Sequence, residues 1–247
     1  TNFQDTPIEK LDIQYCCFSE CYGSSDSKNL YGVAVFSSSE HTILYYTSTI
    51  DCPGSNHNEA EGAQFDIQGP TINSQFVNAT GGNSKFCGGI EYRRTSSGFF
   101  YFQTIMKMNS MFCVAFTDIE TKELSLKSSN LISNNLVFPA DGGGNFPYPG
   151  LVHVRFSDGK KDDAGSVGIS NFCFVSTTFC DDAKVITRGN KGKKPEFHEI
   201  TVTLTGCSYD CDEGLLFDAQ DHLNGKLNVK NDCIQQNKLN DIMHLNL

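Results

Sequence analysis

The sequence predicts an all-β chain wound as a right-handed parallel β-helix of about eight coils. The first observation is a recurring phrase, a glycine followed by a short alternating strand, which begins at Gly32, Gly62, Gly89, Gly150 and Gly214. The second is a succession of short segments rich in Val, Ile, Phe, Tyr and Thr, separated by Gly, Ser, Asn and Asp. The third is the lack of any sustained 3.6-residue period over about 12 residues. Self-similarity at a fixed period is typical of stacked repeats.

Eight coils are predicted in chain order. They span 11–23, 31–54, 61–85, 88–110, 111–139, 148–181, 183–212 and 214–238. A single coil cannot bury its inner face, so the coils gain stability only by stacking. Inward side chains are expected to form ladders of aliphatic, aromatic, Cys and Asn residues, and Asn at the corners tolerates the left-handed backbone conformation.

The whole chain, 1–247, is interpreted as one solenoid domain. The Gly- and Pro-rich segment 141–150 predicts a joint or a long loop, and polar insertions are expected at 157–165 and 188–196. The apolar tail 239–247 predicts a further strand or a cap. The alternative architecture is an antiparallel β-sandwich or jelly roll, which also uses short strands at intervals of about 8–12 residues.

Composition and charge exclude several partners. The chain has 247 residues and a formal net charge of −10, which argues against nucleic acid and anionic membranes. The basic run 188–194 is interpreted as a solvated loop. No apolar run reaches the length of about 18 residues that a membrane-spanning helix needs. The chain begins without Met or an apolar signal core, so we expect a mature or excised fragment.

The cysteines leave three interpretations open. There are 11, an odd number, so they cannot all pair within one chain. Buried thiols stacked in the core, several disulfides and a metal site are the alternatives, although zinc favours closer ligand pairs than this sequence offers. The disulfide candidates are Cys17, Cys21, Cys173, Cys180, Cys207 and Cys211. The six histidines do not cluster, and no metal site or cofactor is predicted.

Four phrases resemble the coils of pectin-lyase-like right-handed β-helix proteins. They are Cys16-Cys17-Phe-Ser-Glu-Cys21, Ser74-Gln-Phe-Val-Asn-Ala-Thr-Gly-Gly82, Gly88-Gly-Ile-Glu-Tyr92 and Asn171-Phe-Cys-Phe-Val175. The chain looks most like the Cys- and Asn-rich surface proteins of protist parasites and, more loosely, like bacterial polymorphic outer-membrane proteins and adhesins. The resemblance implies the fold across nearly the whole chain. It implies little about function, because the fold hosts lyases, hydrolases and adhesins alike.

Catalytic motifs are not found. The chain lacks the Asn-Thr-Asp, Gly-His-Gly and Arg-Ile-Lys sequences of polygalacturonase-like enzymes. Glycoside hydrolysis needs two carboxylates flanking the bond that breaks. Asp162-Asp163 falls in a polar insertion and is interpreted as solvated. Asp181-Asp182 follows a strand and is the alternative catalytic pair, although a plain turn is the favoured interpretation.

Glycan contacts are expected from exposed rings and one arginine. In the run Phe99-Phe-Tyr-Phe102, alternation places two rings inside and two outside, so Phe99 and Tyr101 are candidates, joined by Arg93. Tyr45 or Tyr46 could serve in the same way. Arg93 and Glu91 are two residues apart in a strand and should share a face as an outward ion pair.

One sequon, Asn78-Ala-Thr80, is expected in a turn, where Asn78 would accept a glycan if the chain is secreted. The leading hypothesis is a non-catalytic surface or secreted β-helix segment with an adhesion or structural role, and with carbohydrate or a host or cell-surface protein as partner. The alternatives are a polysaccharide lyase or glycoside hydrolase of the pectin-lyase-like fold, and an intracellular structural protein with reduced thiols.

Overall fold

The structure, a computed structural model, describes residues 8–21, 34–52, 63–121, 123–138, 148–156, 164–188, 199–217, 226–231 and 234–235. The joint and insertions predicted from the sequence fall largely outside these residues, at 141–147, 157–163 and 189–196, as does the tail 239–247. The same is true of Asp162 and Asp163.

The chain is a parallel β-helix, as predicted. All strand pairings among the described residues are parallel, and each strand pairs with its equivalent in at least one neighbouring coil. The antiparallel sandwich is therefore excluded, because its neighbouring strands would run in opposite directions.

The described strands form three faces, which we name in chain order. The first face consists of the start of β3 (Val35–Ile50), then β4 (Phe65–Gln68), β6 (Cys87–Arg93), β10 (Phe112–Ile119), β14 (Gly150–Phe156) and β17 (Lys184–Arg188).

Within the part of the chain that the structure describes, the second face stacks eight strands. They are β1 (Ile8–Gln14), the middle of β3, the first half of β5 (Thr71–Thr80), β7 (Ser97–Tyr101), β11 (Glu123–Lys127), β15 (Ala164–Ser170), β18 (Glu199–Thr205) and β20 (Lys226–Asn231). These eight strands match the predicted number of coils.

The third face is made of shorter strands. They are β2 (Cys17–Ser19), the ends of β3 and β5, β8 (Thr104–Met106), β12 (Asn130–Ile132), β16 (Cys173–Val175), β19 (Ser208–Tyr209) and β21 (Ile234–Gln235). A small two-stranded ladder, β9 (Asn109–Ser110) with β13 (Asn135–Leu136), closes the cross-section. The described residues include one short 3₁₀ helix, Glu213–Leu215, and none of their helices could cross a membrane.

The core is the column of inward side chains from all three faces. Because strand residues alternate between the two sides of a sheet, every second residue of each strand enters it. Like residues stack from coil to coil, as on the second face, where Leu126, Ile169 and Leu204 follow one another. The buried hydroxyl of Tyr92 lies 2.6 Å from Ser74 Oγ and accepts a hydrogen bond from Gln103 Nε2 at 2.6 Å. This polar group is therefore buried without losing its hydrogen bonds.

An asparagine ladder is present at the corner occupied by β9 and β13, but it lies on the outer surface and not among the inward ladders, where Asn was predicted. Asn109 Nδ2 donates to Asn83 Oδ1 at 3.1 Å, and Asn135 Nδ2 donates to Asn109 Oδ1 at 2.7 Å. The spacing between successive members is 26 residues. The Asn109 amide therefore serves as donor to the coil before and acceptor for the coil after.

Candidate functional site: an aromatic ladder beside an open trough

In seven of the coils, the described residues show one left-handed residue at the bend between the second and third faces. These residues are Tyr15, Tyr46, Phe76, Phe102, Ser128, Asn171 and Gly206, with φ between 47° and 62°. The ladder of backbone hydrogen bonds continues through the bend, since the Phe102 amide donates to the Lys127 carbonyl at 3.1 Å. Non-glycine residues rarely adopt this conformation, which costs about 1–3 kcal/mol each. The regular stack around the bend holds them there.

The first four of these residues are aromatic, and their rings stack face to face along the helix axis. We call Tyr15, Tyr46, Phe76 and Phe102 the aromatic ladder. Successive ring centroids are 5.4, 4.5 and 4.7 Å apart, and the interplanar angles are 13°, 7° and 6°. Three of the rings are well exposed, Tyr15 by 72% and Tyr46 and Phe102 by 46%. A stacked column of exposed rings is unusual, because large apolar side chains are normally scattered singly on a surface.

The aromatic ladder ends at Phe102. The next coil places Ser128 in the same backbone conformation, so Phe102 meets a small side chain where the other rings meet a ring. Inner rings cover each other's faces and present their edges outward. The terminal ring of Phe102 therefore offers an apolar face as well as an edge.

An open trough runs along the aromatic ladder on the side of the third face. Its volume is about 350 Å³, and its lining is Tyr46, Thr47, Ser48, Phe76, Asn78, Phe102, Thr104, Ser128 and Asn130. Four of these form one outward column, in which Ser48 pairs with Asn78, Asn78 with Thr104, and Thr104 with Asn130. None of the nine lining residues carries a charged side chain. The trough thus sets apolar rings against hydroxyl and amide groups, which suits a neutral ligand that is polar on its edges and apolar on its faces.

The predicted glycan contacts Phe99 and Tyr101 project from the second face beside this bend. Phe99 is 53% exposed, and its ring meets Tyr101 edge to face at 5.7 Å. The Lys127 ammonium lies 5.4 Å above the Tyr101 ring. The expected alternation over 99–102 is wrong at its last residue: Phe100 is buried, but Phe102 turns outward with φ of 55° because the strand bends there. Three rings of the run therefore face out and one faces in.

Arg93, the third predicted contact, lies elsewhere, on the outer side of the first face. Arg93 Nη2 is 2.7 Å from Glu91 Oε2 and 3.1 Å from Asp66 Oδ2. The expected pairing of Glu91 with Arg93 is present, but Glu91 is buried. Arg93 is thus not brought together with Phe99 and Tyr101.

The group of Asp66, Glu91, Arg93 and Thr117 forms a covered charge cluster. Asp66 and Glu91 pair on neighbouring strands and are 0% and 2% exposed, and Thr117 Oγ1 donates to Glu91 Oε1 at 3.0 Å. Burial, with the negative charge of Glu91, raises the pKa of Asp66 to about 7 despite the opposing effect of Arg93. A carboxylic acid with such a pKa can exchange protons near neutrality, but these carboxylates are not exposed to a substrate.

His153 lies in the same outward column, two coils beyond Glu91. It is fully buried, stacks on Phe112 with centroids 4.2 Å apart, and has Nδ1 3.1 Å from Thr187 Oγ1. Burial, with Arg155 nearby, lowers the pKa of His153 to about 3, so the imidazole is neutral at physiological pH.

The alternative catalytic pair Asp181 and Asp182 lies in an exposed turn after β16, and Asp182 has φ of 61°. This is the turn that the sequence favours. Across the part of the chain that the structure describes, no three His, Cys, Asp or Glu side chains are grouped so that they could hold a metal ion.

Asn78 is in a strand, so its predicted position in a turn is wrong. It belongs to β5 and points outward, exposed, from the middle of the trough lining. The sequence around it has turn residues, but the left-handed bend occurs at Phe76, two residues earlier.

The candidate disulfide cysteines are spread over different coils and environments. Cys17 is exposed and Cys21, Cys173 and Cys180 are partly buried, all four as free thiols. Buried Cys207 donates from its thiol to the Ile169 carbonyl at 3.5 Å, and burial raises the pKa of Cys211 to about 11. Cys17 and Cys173 lie at the two ends of the column that lines the trough. Pairing among the six stays a prediction.

Sequence reasoning missed Tyr15 and Phe76 as surface residues, and it treated Phe102 only as part of an alternating run. A signal was present, since each aromatic residue of the ladder stands at the same position of its coil. Comparison of the chain with protein-family models, with curated proteins and with solved structures found no match.

Proposed function

We propose that this chain is a non-catalytic, surface or secreted β-helix segment that acts in adhesion by binding glycan along the trough beside the aromatic ladder. The observation that carries the proposal is a stack of four rings, three of them exposed, next to a column of hydroxyl and amide side chains. Sugars combine apolar C–H faces with hydroxyl edges, so they match both the aromatic rings and the column of polar side chains.

The chemical class of the ligand follows from the charge of the chain and of the trough lining, and from the regular spacing of the coils. The uncharged lining and the net charge of −10 both disfavour an acidic polysaccharide. Each coil adds a ring edge and a polar side chain at nearly the same interval, as the centroid distances of 4.5 and 4.7 Å show. A neutral, extended polysaccharide lying along the helix axis would meet similar contacts at successive coils.

The alternative function is a polysaccharide lyase or glycoside hydrolase of the pectin-lyase-like fold. One observation favours it: Asp66 and Glu91 are neighbouring outward carboxylates, and the pKa of Asp66 is raised to about 7. Burial of both carboxylates makes this the second choice, because an acid and a base must reach the glycosidic bond.

The test is a glycan-array and polysaccharide-binding measurement on the purified chain and on Phe102→Ser, both produced without N-glycosylation. Serine already occupies the equivalent position of the next coil, at Ser128, so the backbone tolerates it. We expect binding about tenfold weaker, since aromatic contacts contribute about 0.5–1.5 kcal/mol beyond buried area. Phe138→Ser removes another exposed ring, away from the trough, and should leave binding unchanged.

Two outcomes would oppose the proposal. Equal losses in Phe102→Ser and Phe138→Ser would show that the trough is not the binding site. Release of reducing ends from a neutral or acidic polysaccharide, abolished by Asp66→Asn, would favour the enzyme.

A further inference from the structure

Asn78 belongs to an N-glycosylation acceptor sequence, and it lies within a β-strand. The acceptor sequence Asn78-Ala79-Thr80 lies in β5, and the side chains of Asn78 and Thr80 share one side of the strand. The backbone around Asn78 is paired with a strand on each side, since Asn78 is in register with Ser48 and with Thr104. The backbone of Asn78 is thus held in the stack, and its exposed side chain is the group that can be modified.

The same side chain lines the trough together with Phe76 and Phe102. A sugar joined to Asn78 Nδ2 therefore starts inside the trough, between the ring edges and the polar column. The volume of about 350 Å³ is large enough for a monosaccharide. The trough that suits an external sugar suits an attached sugar for the same chemical reasons.

We infer that Asn78 is an N-glycosylation site whose first sugar occupies the trough, so that the modified chain no longer binds an external polysaccharide there. In this reaction a bond forms between Asn78 Nδ2 and C1 of the sugar. The bond from C1 to a lipid-linked pyrophosphate donor breaks, the pyrophosphate leaves with the electron pair, and the amide nitrogen loses one proton. The statement that the attached sugar blocks an external polysaccharide rests on the proposed function. The modification of Asn78 and the position of its first sugar in the trough do not depend on that function.

The first experiment measures occupancy. The full chain, Thr80→Ser and Thr80→Ala are produced in a secretory host that contains an oligosaccharyltransferase, and the peptide holding Asn78 is analysed by mass spectrometry. We expect the wild type and Thr80→Ser to carry a glycan and Thr80→Ala to carry none. Unmodified Asn78 in the wild type would overturn the inference.

The second experiment locates the first sugar. The glycan is trimmed enzymatically to one N-acetylglucosamine, and the rate of iodination is compared at Tyr46, which lines the trough, and at Tyr15, which does not. Trimmed protein should react several-fold more slowly than the unmodified chain at Tyr46 and equally fast at Tyr15. Equal rates at Tyr46 would show that the sugar points away from the trough.

The third experiment separates the two proposals. Binding of neutral polysaccharides is measured for Thr80→Ala and for the trimmed wild type. Binding by Thr80→Ala that is lost in the trimmed protein supports both proposals, and equal binding by both overturns the blocking. If Thr80→Ala does not bind at all, the proposed function fails, while occupancy and the Tyr46 rate still decide the modification.

Discussion

Two outward surfaces of this β-helix differ in both charge and exposure. On the first face, Asp66, Glu91 and Arg93 lie together and the two carboxylates are buried. At the bend between the second and third faces, the aromatic ladder is exposed and the trough beside it carries no charged side chain. Groups suited to proton transfer are thus hidden, and groups suited to sugar contact are open.

This separation indicates which function the described part of the fold supports. Hydrolysis of a glycosidic bond needs two carboxylates beside a bound sugar. Here the carboxylate pair lies on the first face, whereas the exposed rings and the trough lie at the bend between the second and third faces. Binding without chemistry requires only the second surface, and this makes adhesion the better supported role.

The largest effect is expected from breaking the covered charge cluster with Arg93→Met. Removal of the guanidinium leaves two neighbouring carboxylates buried without their cation, and loss of one partner from a buried ion pair costs about 3–5 kcal/mol. Denaturant unfolding monitored by circular dichroism measures the free energy of unfolding. We expect a loss of this size.

The control is Arg94→Met, the same substitution at the next residue, which is exposed. It should change stability by no more than about 0.5 kcal/mol. Similar losses in the two variants would show that the cluster is not the cause.

The next effect is a pH dependence that arises at Asp66. Its pKa is about 7 in the folded chain and 3.8 by ordinary reference, so the folded state holds the proton more tightly than the unfolded state. Stability from this group is therefore greatest below pH 4 and falls as the pH rises towards 7. The full difference is at most on the order of 4 kcal/mol, because one pKa unit corresponds to about 1.4 kcal/mol.

The Asp66→Asn variant serves as the comparison, because its side chain has the shape of the protonated acid and is uncharged at every pH. Relative to this variant, the wild type should lose stability between pH 4 and pH 7 and then reach a plateau. A difference that stays constant over this range would mean that Asp66 ionises in the folded chain as readily as in the unfolded chain.

The fold could be predicted from the sequence because the same short pattern recurs along the chain. The glycine phrase recurs at Gly32, Gly62, Gly89, Gly150 and Gly214, and alternation places residues such as Phe100 inside. The asparagine ladder could also be anticipated, since an amide both donates and accepts. These features depend on local pattern and period alone.

The site could not be predicted in the same way. Alternation assigns a residue to one side of a strand only while the strand is straight, and the left-handed residue in each coil breaks the pattern. Phe76 and Phe102 adopt a conformation that sequence rules reserve mainly for Gly and Asn. The burial of Glu91 depends on the packing of the whole first face, which no short motif contains.

The aromatic ladder should contribute to stability as well as to binding. Phe76 stacks on both Tyr46 and Phe102, whereas Phe102 stacks on Phe76 alone within the ladder. We expect Phe76→Ser to lose about 1–2 kcal/mol in unfolding and Phe102→Ser about half of that. Equal losses would mean that the stacking contacts themselves contribute little.

The smallest effect concerns the asparagine ladder, which tests whether a polar ladder stabilises the stack as a ring ladder does. Asn109 donates to Asn83 and accepts from Asn135, so Asn109→Ser removes two hydrogen bonds between coils. Because the site is solvent-exposed, we expect a loss of only about 0.5–1 kcal/mol. Asn130→Ser, in the exposed column of the trough, is the matched control and should be neutral for folding. Equal stabilities of the two variants would mean that water replaces the ladder without loss, and that apolar stacking and backbone pairing alone hold the coils together at this corner.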